Sequence, residues 1–204
     1  MAKVTLETDA LMVPVPVVLL SVSSEDGGMN ITTVAWVSVA CAVPPMVSVA
    51  MRPERLSHSL IRESGEFVLN IPSAKLLRAV DVCGVVSGRD IDKFARTGLT
   101  PLPSLKVAAP GIAECPVNLE CVLRQSIVLG SHVLLLSEVV ALRADEEVVE
   151  DGGILTGRIG PLAYDPFGGD YWTLKEVVAH HGFSEGTMPD PVPRKTVRQQ
   201  RKKV

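Results

Sequence analysis

The chain has 204 residues, of which 47% are hydrophobic, and its formal net charge is −3. This length fits one domain that buries most of its apolar side chains, and the low charge per residue excludes a disordered chain. With only eight aromatic residues, the chain is poorly suited to binding single-stranded nucleic acid by base stacking.

The sequence of the N-terminal region predicts neither a membrane span nor a signal peptide. Its most apolar run, residues 11–22, contains Pro14 and Pro16 and is shorter than the roughly 20 residues that a spanning helix needs. Glu7 and Asp9 stand where a signal peptide would be basic. We therefore expect a cytoplasmic protein that does not enter a membrane.

Strand patterns dominate the first half of the chain. Apolar runs at residues 15–22, 31–43 and 46–51 are separated by two turn signals, Glu25-Asp26-Gly27-Gly28 and Pro44-Pro45. This order predicts an antiparallel meander.

A helix is predicted between Pro53 and Gly65, which suit its first turn and the residue after its last turn. Its inner face would carry Leu56, Leu60 and Ile61. A further strand is predicted at residues 67–71.

Two more helices follow. Ser73 is placed to cap the first of them, whose inner face would carry Leu76, Leu77 and Val80. The second is predicted near residues 90–97 and ends at Gly98.

The second half returns to strands. Residues 117–124 alternate apolar and polar side chains, so Asn118, Glu120 and Arg124 would lie on a solvated face. Another strand is predicted at 132–142, a Gly/Pro-rich passage at 152–169, and a short helix opened by the capping-box pattern at 173–176. These elements indicate a mainly β fold, an antiparallel barrel with helical insertions. The absence of a G-x-G-x-x-G turn argues against a Rossmann domain.

The charge is uneven. Six basic residues and no acidic ones lie in 194–204, which leaves 14 basic and 23 acidic residues in the rest of the chain. We expect a domain at 1–182 and a flexible basic tail at 183–204. Such a tail suits nucleic acid or an acidic membrane surface. We favour the ordinary alternative, a solvated segment that aids solubility or contacts the acidic body of the same chain. We expect no nucleic-acid partner.

The four cysteines indicate buried free thiols. Cys41, Cys83, Cys115 and Cys121 form no C-x-x-C pair, and all lie in apolar stretches. We therefore predict no metal site.

Three clusters are candidates for chemistry, and each also has an ordinary structural explanation. Residues 30–39 place hydroxyl side chains and a tryptophan on one strand. This strand either contacts the edge of a planar ligand or is an ordinary threonine-rich strand without a ligand. Residues 51–60 place Arg, Ser and His at a helix start, which is either a phosphate pocket or a solvated helix end. Residues 87–94 form a glycine-bearing turn whose Lys93 reaches an anion or simply faces water.

Together, the order of these clusters resembles the flavin reductase-like, FMN-binding split-barrel family, in particular its flavoredoxin-type members. The resemblance is carried by "GGMNITTVAWVSVACAVPPMVSVAMRPERLSHSLIRESGEFVLNI", "SGRDIDKF" and "GSHVLLLSEV". It implies a six-stranded, Greek-key-like split barrel and a homodimer with FMN near the subunit interface.

The resemblance also implies site residues. The isoalloxazine ring would be lined by the strand residues Asn30, Thr32, Thr33, Val34, Ala35, Trp36, Val37 and Ser38. The phosphate would be held by Arg52, Ser57, His58 and Ser59, with Lys93 adding charge. His132 and Tyr164 would lie beside the flavin, and His132 would assist proton delivery because imidazole exchanges protons near neutral pH.

The leading hypothesis is an FMN-dependent oxidoreductase that takes electrons from NAD(P)H or a protein donor and passes them to a small-molecule or protein acceptor. The alternative is a non-enzymatic FMN-binding electron carrier or flavin-storage protein. A third hypothesis is a split barrel that has lost its flavin and holds nucleic acid with its tail. FAD in place of FMN is not excluded by the sequence.

Overall fold

The computed structural model describes residues 2–7, 12–174 and 176–185. Its main feature is a seven-stranded antiparallel sheet. The strands are β2 (Val18–Ser23), β3 (Met29–Val34), β4 (Val37–Cys41), β5 (Met46–Met51), β6 (Glu66–Ile71), β9 (Val117–Leu129) and β10 (His132–Ala144). Their spatial order is β3-β2-β6-β9-β10-β5-β4.

The two edge strands of this sheet, β3 and β4, are consecutive in sequence. Only Ala35 and Trp36, which we call the seam, separate them. Because β3 pairs with β2 and β4 pairs with β5, the sheet must curl to bring its two edges together. No ladder joins β3 to β4 among the described strands, so the barrel is split here.

The seam corrects the strand predicted at 31–43, which is wrong as a single element. Val34 pairs with Val18 of β2, whereas Val37 pairs with Val49 of β5, so the chain crosses from one sheet edge to the other. The break also explains why seven strands stand where the resemblance implied six. The predicted mainly β, antiparallel split barrel is confirmed.

Small sheets flank the barrel. They are β1 (Val15–Pro16) with β13 (Leu162–Asp165) and β14 (Asp170–Thr173); β7 (Pro101–Leu102) with β8 (Gly111–Ile112); and β11 (Val149–Glu150) with β12 (Gly153–Ile154). The strand predicted at 15–22 is therefore divided at Val17 between two sheets.

The helix predicted from the capping-box pattern at 173–176 is wrong. Thr173 pairs with Leu162 as the last residue of β14, and residues 176–180 have no regular secondary structure. Lys175 and the basic segment 194–204 lie outside the described residues. The predicted boundary at 182 and the predicted flexibility of the tail stay predictions.

Four helices are described, α1 (Leu56–Ser64), α2 (Leu77–Val85), α3 (Lys93–Thr97) and α4 (Thr156–Ile159). Helix α1 ends at Gly65 (φ 70°) and α3 at Gly98 (φ 72°), both in the left-handed conformation that glycine adopts without strain. These two ends are confirmed. The start of α1 lies three residues after Pro53, because Arg55 is still extended.

The helix predicted after Ser73 is confirmed with two corrections. Ser73 makes no side-chain cap, and Ala74–Leu76 forms a 3₁₀ turn before α2 begins. Val80 is fully buried as predicted, but Leu77 is 39% exposed, because the change from a 3₁₀ turn to an α-helix rotates it outward.

The prediction of a solvated face on β9 is wrong for Asn118 and Glu120, which are 6% and 1% exposed. Glu120 accepts hydrogen bonds from the backbone N–H groups of Leu105 (2.8 Å) and Lys106 (2.6 Å). The loop before β8 therefore covers this face, and its backbone satisfies the carboxylate.

Two apolar clusters form the core. Alternation along β2 places Leu20 inside the barrel with Phe67, and Leu19 on the outer face beneath α2 and α3 with Val80. Helices α2 and α3 thus pack on the outer face of the sheet.

The four cysteines are free. Cys83, Cys115 and Cys121 are buried as predicted, whereas Cys41 is only half-buried. Burial raises the pKa of the Cys83 thiol to about 11 and that of Cys121 to about 12. Within residues 2–7, 12–174 and 176–185, no group of three His, Cys, Asp or Glu side chains is arranged to hold a metal ion. No helix in these same ranges is long and apolar enough to cross a membrane.

Candidate functional site

Three neighbouring cavities meet at Arg55, on the outer side of the barrel beside the seam. We name them the cationic cavity (about 370 Å³), the tyrosine cavity (about 300 Å³) and the seam cavity (about 170 Å³). Arg55 lines all three, and Thr33 and Ala35 line both the tyrosine and the seam cavities. The three cavities therefore form one branched groove.

The cationic cavity carries four basic side chains against one acidic one. They are Arg52, Arg55, Arg89 and Lys93, with Glu54 as the only acid in the lining. None of the four forms an ion pair with a side chain of the described part of the chain. Because the cations converge without acidic partners, the cavity suits an anion.

Lys93 is the buried member of this set, with 3% exposure. Its Nζ donates a hydrogen bond to the carbonyl oxygen of Cys83, at 2.9 Å, near the C-terminal end of α2. Burial lowers the pKa of Lys93; the Cys83 thiol opposes this shift, and Arg55 adds to it. An ammonium group has three donors, so Lys93 keeps hydrogen-bonding capacity for a ligand.

A buried amide also lines the cationic cavity. Asn30 is 4% exposed, and its Nδ2 donates to the Oγ of the buried Ser57 at 2.8 Å. Its Oδ1 lies against Gly88, where an added Cβ would come within 2.0 Å. Only glycine fits at position 88 while Asn30 keeps this place.

The first turn of α1 completes the cationic cavity. Leu56 and Ser57 line it, and the free backbone N–H groups of a helix start favour an anion. His58 and Ser59, predicted with Ser57 as phosphate ligands, line none of the three cavities.

His58 is buried beside this turn. Its Nε2 has no hydrogen-bond partner among the described residues. Burial, and then the neighbouring Arg62, lower the pKa of His58, whereas Pro53 and Glu54 oppose the shift. The neutral imidazole is thus the form that the fold favours.

The seam cavity lies between the end of β3 and the start of β10. It is lined by Thr32, Thr33, Val34, Ala35, Trp36, Ala50, Met51, Arg52, Arg55 and His132. The rings of Trp36 and His132 are 4.4 Å apart between centroids. The Oγ of Ser131 lies 2.9 Å from Nδ1 of His132. This cavity has the rings of Trp36 and His132 and the small side chains at the end of β3 in its lining.

The tyrosine cavity lies on the other side of Thr33 and Ala35. The rings of Tyr164 and Tyr171 form its wall, 5.3 Å apart between centroids, and the hydroxyl of Tyr171 donates to Oδ1 of Asp81 at 3.3 Å. Burial, and then Asp81, raise the pKa of Tyr171 to about 12. Tyr171 is therefore a neutral donor at any physiological pH.

A fourth cavity, of about 600 Å³, opens on the side of the seam that faces β4 and β5. It is lined mainly by apolar side chains, and it shares Ala35 and Trp36 with the seam cavity. Val37 and Ser38 line this fourth cavity and not the groove at Arg55.

The structure thus brings most of the predicted site residues to one groove. In that groove are Asn30, Thr32, Thr33, Val34, Ala35, Trp36, Arg52, Ser57, Lys93, His132 and Tyr164. It separates four from them: Val37 and Ser38, which face the other side of the seam, and His58 and Ser59.

Sequence reasoning missed several lining residues. They are Arg55, Asp81, Gly84, Ser87, Gly88, Arg89 and Tyr171. Arg55 and the 87–89 turn belong to two of the three candidate clusters. Their closeness in sequence to Arg52 and Lys93 could therefore have identified them as site residues. Asp81 and Tyr171 are 90 positions apart, and no local pattern connects them.

Comparison with known proteins agrees with this geometry. The profile of the family described as "Flavin reductase like domain" matches residues 11–169. An uncharacterized protein of Pyrococcus abyssi is 37% identical over 133 residues, which cover 65% of this chain and 76% of that protein.

Solved structures give the same result. Flavoredoxin of Desulfovibrio vulgaris (Miyazaki F) superposes with a TM-score of 0.84 at 32% identity, covering 91% of this chain and 100% of that one. Flavoredoxin from Methanosarcina acetivorans superposes at 0.82 with 26% identity, covering 89% and 96%. The predicted resemblance is confirmed, and the chain belongs to the flavin reductase-like family.

Proposed function

We propose that this protein is an FMN-dependent oxidoreductase that moves electrons from NAD(P)H or a protein donor, through bound FMN, to an acceptor. The observation that carries the proposal is the cationic cavity, in which the buried Lys93 and three arginines lack acidic partners and adjoin the seam slot. Membership of the flavin reductase-like family supports it.

The residues fit FMN at both ends. A dianionic phosphate suits Arg52, Lys93 and the N–H groups at the start of α1, because charge-assisted hydrogen bonds are the stronger ones. A flat ring suits the seam, where Ala35 leaves room and Trp36 supplies an aromatic surface. When bound, FMN supplies reversible electron transfer at its ring.

The side chains of the protein would bind FMN, orient it and shield it from water. Asn30 and Gly88 are packed against each other in the lining of the cationic cavity and would help to position the phosphate. Trp36 and His132 line the seam cavity and would shield one side of a ring bound there. Ser131 faces Nδ1 of His132, which leaves Nε2 as the atom that we propose exchanges a proton with the bound ligand.

We also propose a homodimer. Support comes from the fourth, apolar cavity and from exposed apolar side chains on nearby strands, such as Val39 (78%) and Val128 (79%). Exposed apolar side chains of this kind are common at protein interfaces. Sedimentation equilibrium of the full chain checks the proposal, and a monomeric mass would reject it.

The cofactor proposal is tested by titrating protein stripped of flavin with FMN, FAD and riboflavin and following flavin fluorescence. We expect FMN to bind with at least a hundredfold preference over riboflavin, because only FMN carries the phosphate. Arg52→Ala should reduce this preference roughly tenfold. The exposed Arg78, which lines none of the cavities, gives the matched control Arg78→Ala.

The activity proposal is tested by mixing the FMN-loaded protein anaerobically with NADH or NADPH. Loss of the visible flavin absorbance within seconds would support direct use of a nicotinamide donor. Bleaching by dithionite alone would favour the alternative, an electron carrier that receives electrons from another protein. A protein that takes up no flavin at all would reject both.

A further inference from the structure

Most residues that line the cationic cavity belong to two segments that are well separated in the sequence. Residues 52–57 lead from β5 into α1, and residues 85–89 lead from the end of α2 towards α3. Separate segments can move relative to each other, so the groups that join them decide how readily the cavity opens.

Two arginines join these segments, one from each side. Arg89, on the second segment, donates from Nη1 to the carbonyl oxygen of Glu54 on the first, at 3.2 Å. Arg55, on the first segment, donates from Nη1 to the carbonyl oxygen of Gly84, which directly precedes the second, at 3.3 Å. Both arginines also line the cavity. We call these two hydrogen bonds the arginine clasp.

Each segment also contains a hydrogen-bonded turn of its own. The backbone N–H of Arg55 donates to the carbonyl oxygen of Arg52 at 3.2 Å, and that of Asp90 donates to the carbonyl oxygen of Ser87 at 3.2 Å. These turns do not depend on the clasp for their own hydrogen bonds. Breaking the clasp therefore separates one turn from the other and leaves both turns formed.

The clasp is weaker than the contact made by the buried cation of the same cavity. Arg55 and Arg89 are exposed, and their hydrogen bonds are longer than the usual N–H···O distance of about 2.9 Å. Water competes for such bonds, so they break readily. Lys93, in contrast, is buried, and its Nζ lies 2.9 Å from the carbonyl oxygen of Cys83. The cavity thus combines one fixed cation with two cations that can change partners.

We propose that the arginine clasp opens to admit and release FMN, so that Arg89 sets how fast FMN exchanges and not how tightly FMN binds. The inference rests on the proposed function, because FMN is the ligand whose exchange the clasp controls. With the clasp closed, FMN stays in the protein from one reaction cycle to the next as a resident cofactor.

The clasp has a kinetic signature because its hydrogen bonds join protein to protein. Bonds of equal strength in the FMN-loaded and the flavin-free protein do not favour either state. Such bonds slow association and dissociation by the same factor and leave the dissociation constant unchanged. A direct phosphate ligand, in contrast, changes the dissociation rate and the dissociation constant together.

Arg89→Ala tests the clasp by stopped-flow fluorescence, with FMN and riboflavin as the two probes. We expect the association and dissociation rates of both flavins to rise roughly fivefold, because one hydrogen bond of the clasp is lost. Both dissociation constants should stay within about twofold of those of the unsubstituted protein. Riboflavin carries no phosphate, so the loss of a positive charge does not by itself change its rates. For FMN, measurement at about 0.5 M salt screens the same charge effect.

The matched control is Arg96→Ala, at an exposed arginine of α3 outside the cavities, which should leave all four rates unchanged. A dissociation constant for FMN that rises tenfold or more in Arg89→Ala, with unchanged riboflavin rates, would show that Arg89 is a direct phosphate ligand and would overturn the proposal. Unchanged rates for both flavins would overturn it as well, while leaving the proposed function intact. If the unsubstituted protein takes up no flavin, the proposed function itself fails and the clasp proposal fails with it.

Discussion

Two groups of buried polar side chains lie on either side of β2, and they differ in how completely they are satisfied. Asn70 on β6 donates through Nδ2 to the carbonyl oxygen of Leu19 and to Oγ of Ser21, both at 2.9 Å. Its Oδ1 accepts from Nδ2 of Asn118 at 2.8 Å and from the backbone N–H of Ile112 at 3.0 Å. Among the described residues, in contrast, the side chains of Lys93 and Asn30 each make one hydrogen bond, and both line the cationic cavity.

The difference separates structure from function in side chains of similar burial. The Asn70 network uses its donors and acceptors to hold the loop that leads into β8 against the sheet. The cationic cavity leaves donors and positive charge unused, which costs stability in the absence of a ligand. In these two groups, the saturated side chains hold the fold together and the unsaturated ones line the cavity.

The largest expected effect breaks the saturated group. Asn70→Ala leaves the Ile112 N–H without its acceptor and removes one of the two acceptors of Asn118 Nδ2, so we expect a loss of about 4 kcal/mol in the free energy of unfolding. This corresponds to a fall of roughly 12 °C in Tm, measured by thermal unfolding of the flavin-free protein. The folded fraction should bind FMN as before; a selective loss of FMN affinity without a change in Tm would contradict the comparison.

The next effect breaks the unsaturated group. Lys93→Met removes a buried cation, so we expect FMN to bind roughly a hundredfold more weakly while riboflavin is little affected. The Tm of the flavin-free protein should stay the same or rise, because an unpaired buried charge is lost. Lys75→Met, at an exposed lysine, is the control. A large fall in Tm with unchanged FMN affinity would instead show that Lys93 stabilises the fold and does not bind FMN.

A smaller effect is expected at the wall of the cationic cavity. Gly88→Ala places a Cβ within 2.0 Å of Oδ1 of Asn30, so Asn30 must move, and we expect FMN affinity to fall roughly tenfold. Gly157→Ala, where a Cβ meets nothing within 4 Å, is the matched glycine control. Fluorescence titration of both variants with FMN measures the difference, and equal affinities would show that Asn30 does not shape the site.

The smallest effect concerns His58 and pH. Because burial lowers the pKa of His58 in the folded state, the unfolded chain takes up a proton first as the pH falls below the ordinary value of 6.5. The stability of the protein should therefore decrease on acidification relative to His58→Leu, which cannot titrate. Urea unfolding at pH 7.5 and pH 5 measures the two differences, and a gap independent of pH would reject the assignment.

Local patterns predicted the parts of the fold that depend on local chemistry. Gly65 and Gly98 end helices because both adopt a left-handed conformation there, and the run at 67–71 forms β6. The burial of Asn118 and Glu120 was not predictable, because it depends on a distant loop that packs over β9. The split at Ala35 likewise follows from pairing with strands on both sides of the barrel.

The candidate site shows the same division. Arg52, Lys93, Asn30 and His58 were all reached through the resemblance. The first three line the cationic cavity, whereas His58 does not. Successive helical residues point about 100° apart, so Ser57 faces the cavity and His58 does not. Asp81 and Tyr171 come together only in the folded structure, so their spacing in the sequence does not predict the contact.

The seam has a mechanical consequence. A closed barrel distributes strain around a continuous ring of strands. In this barrel, the described strands β3 and β4 are not paired with each other, and Ala35 and Trp36 lie at that opening. A rigid ligand bound there would contact both sheet edges at once. Ligand binding and the opening of the barrel would therefore be coupled, and the bound ligand would stabilise the closed form. Slowed amide hydrogen exchange along β3 and β4 would then report the loading of the protein without any view of the ligand.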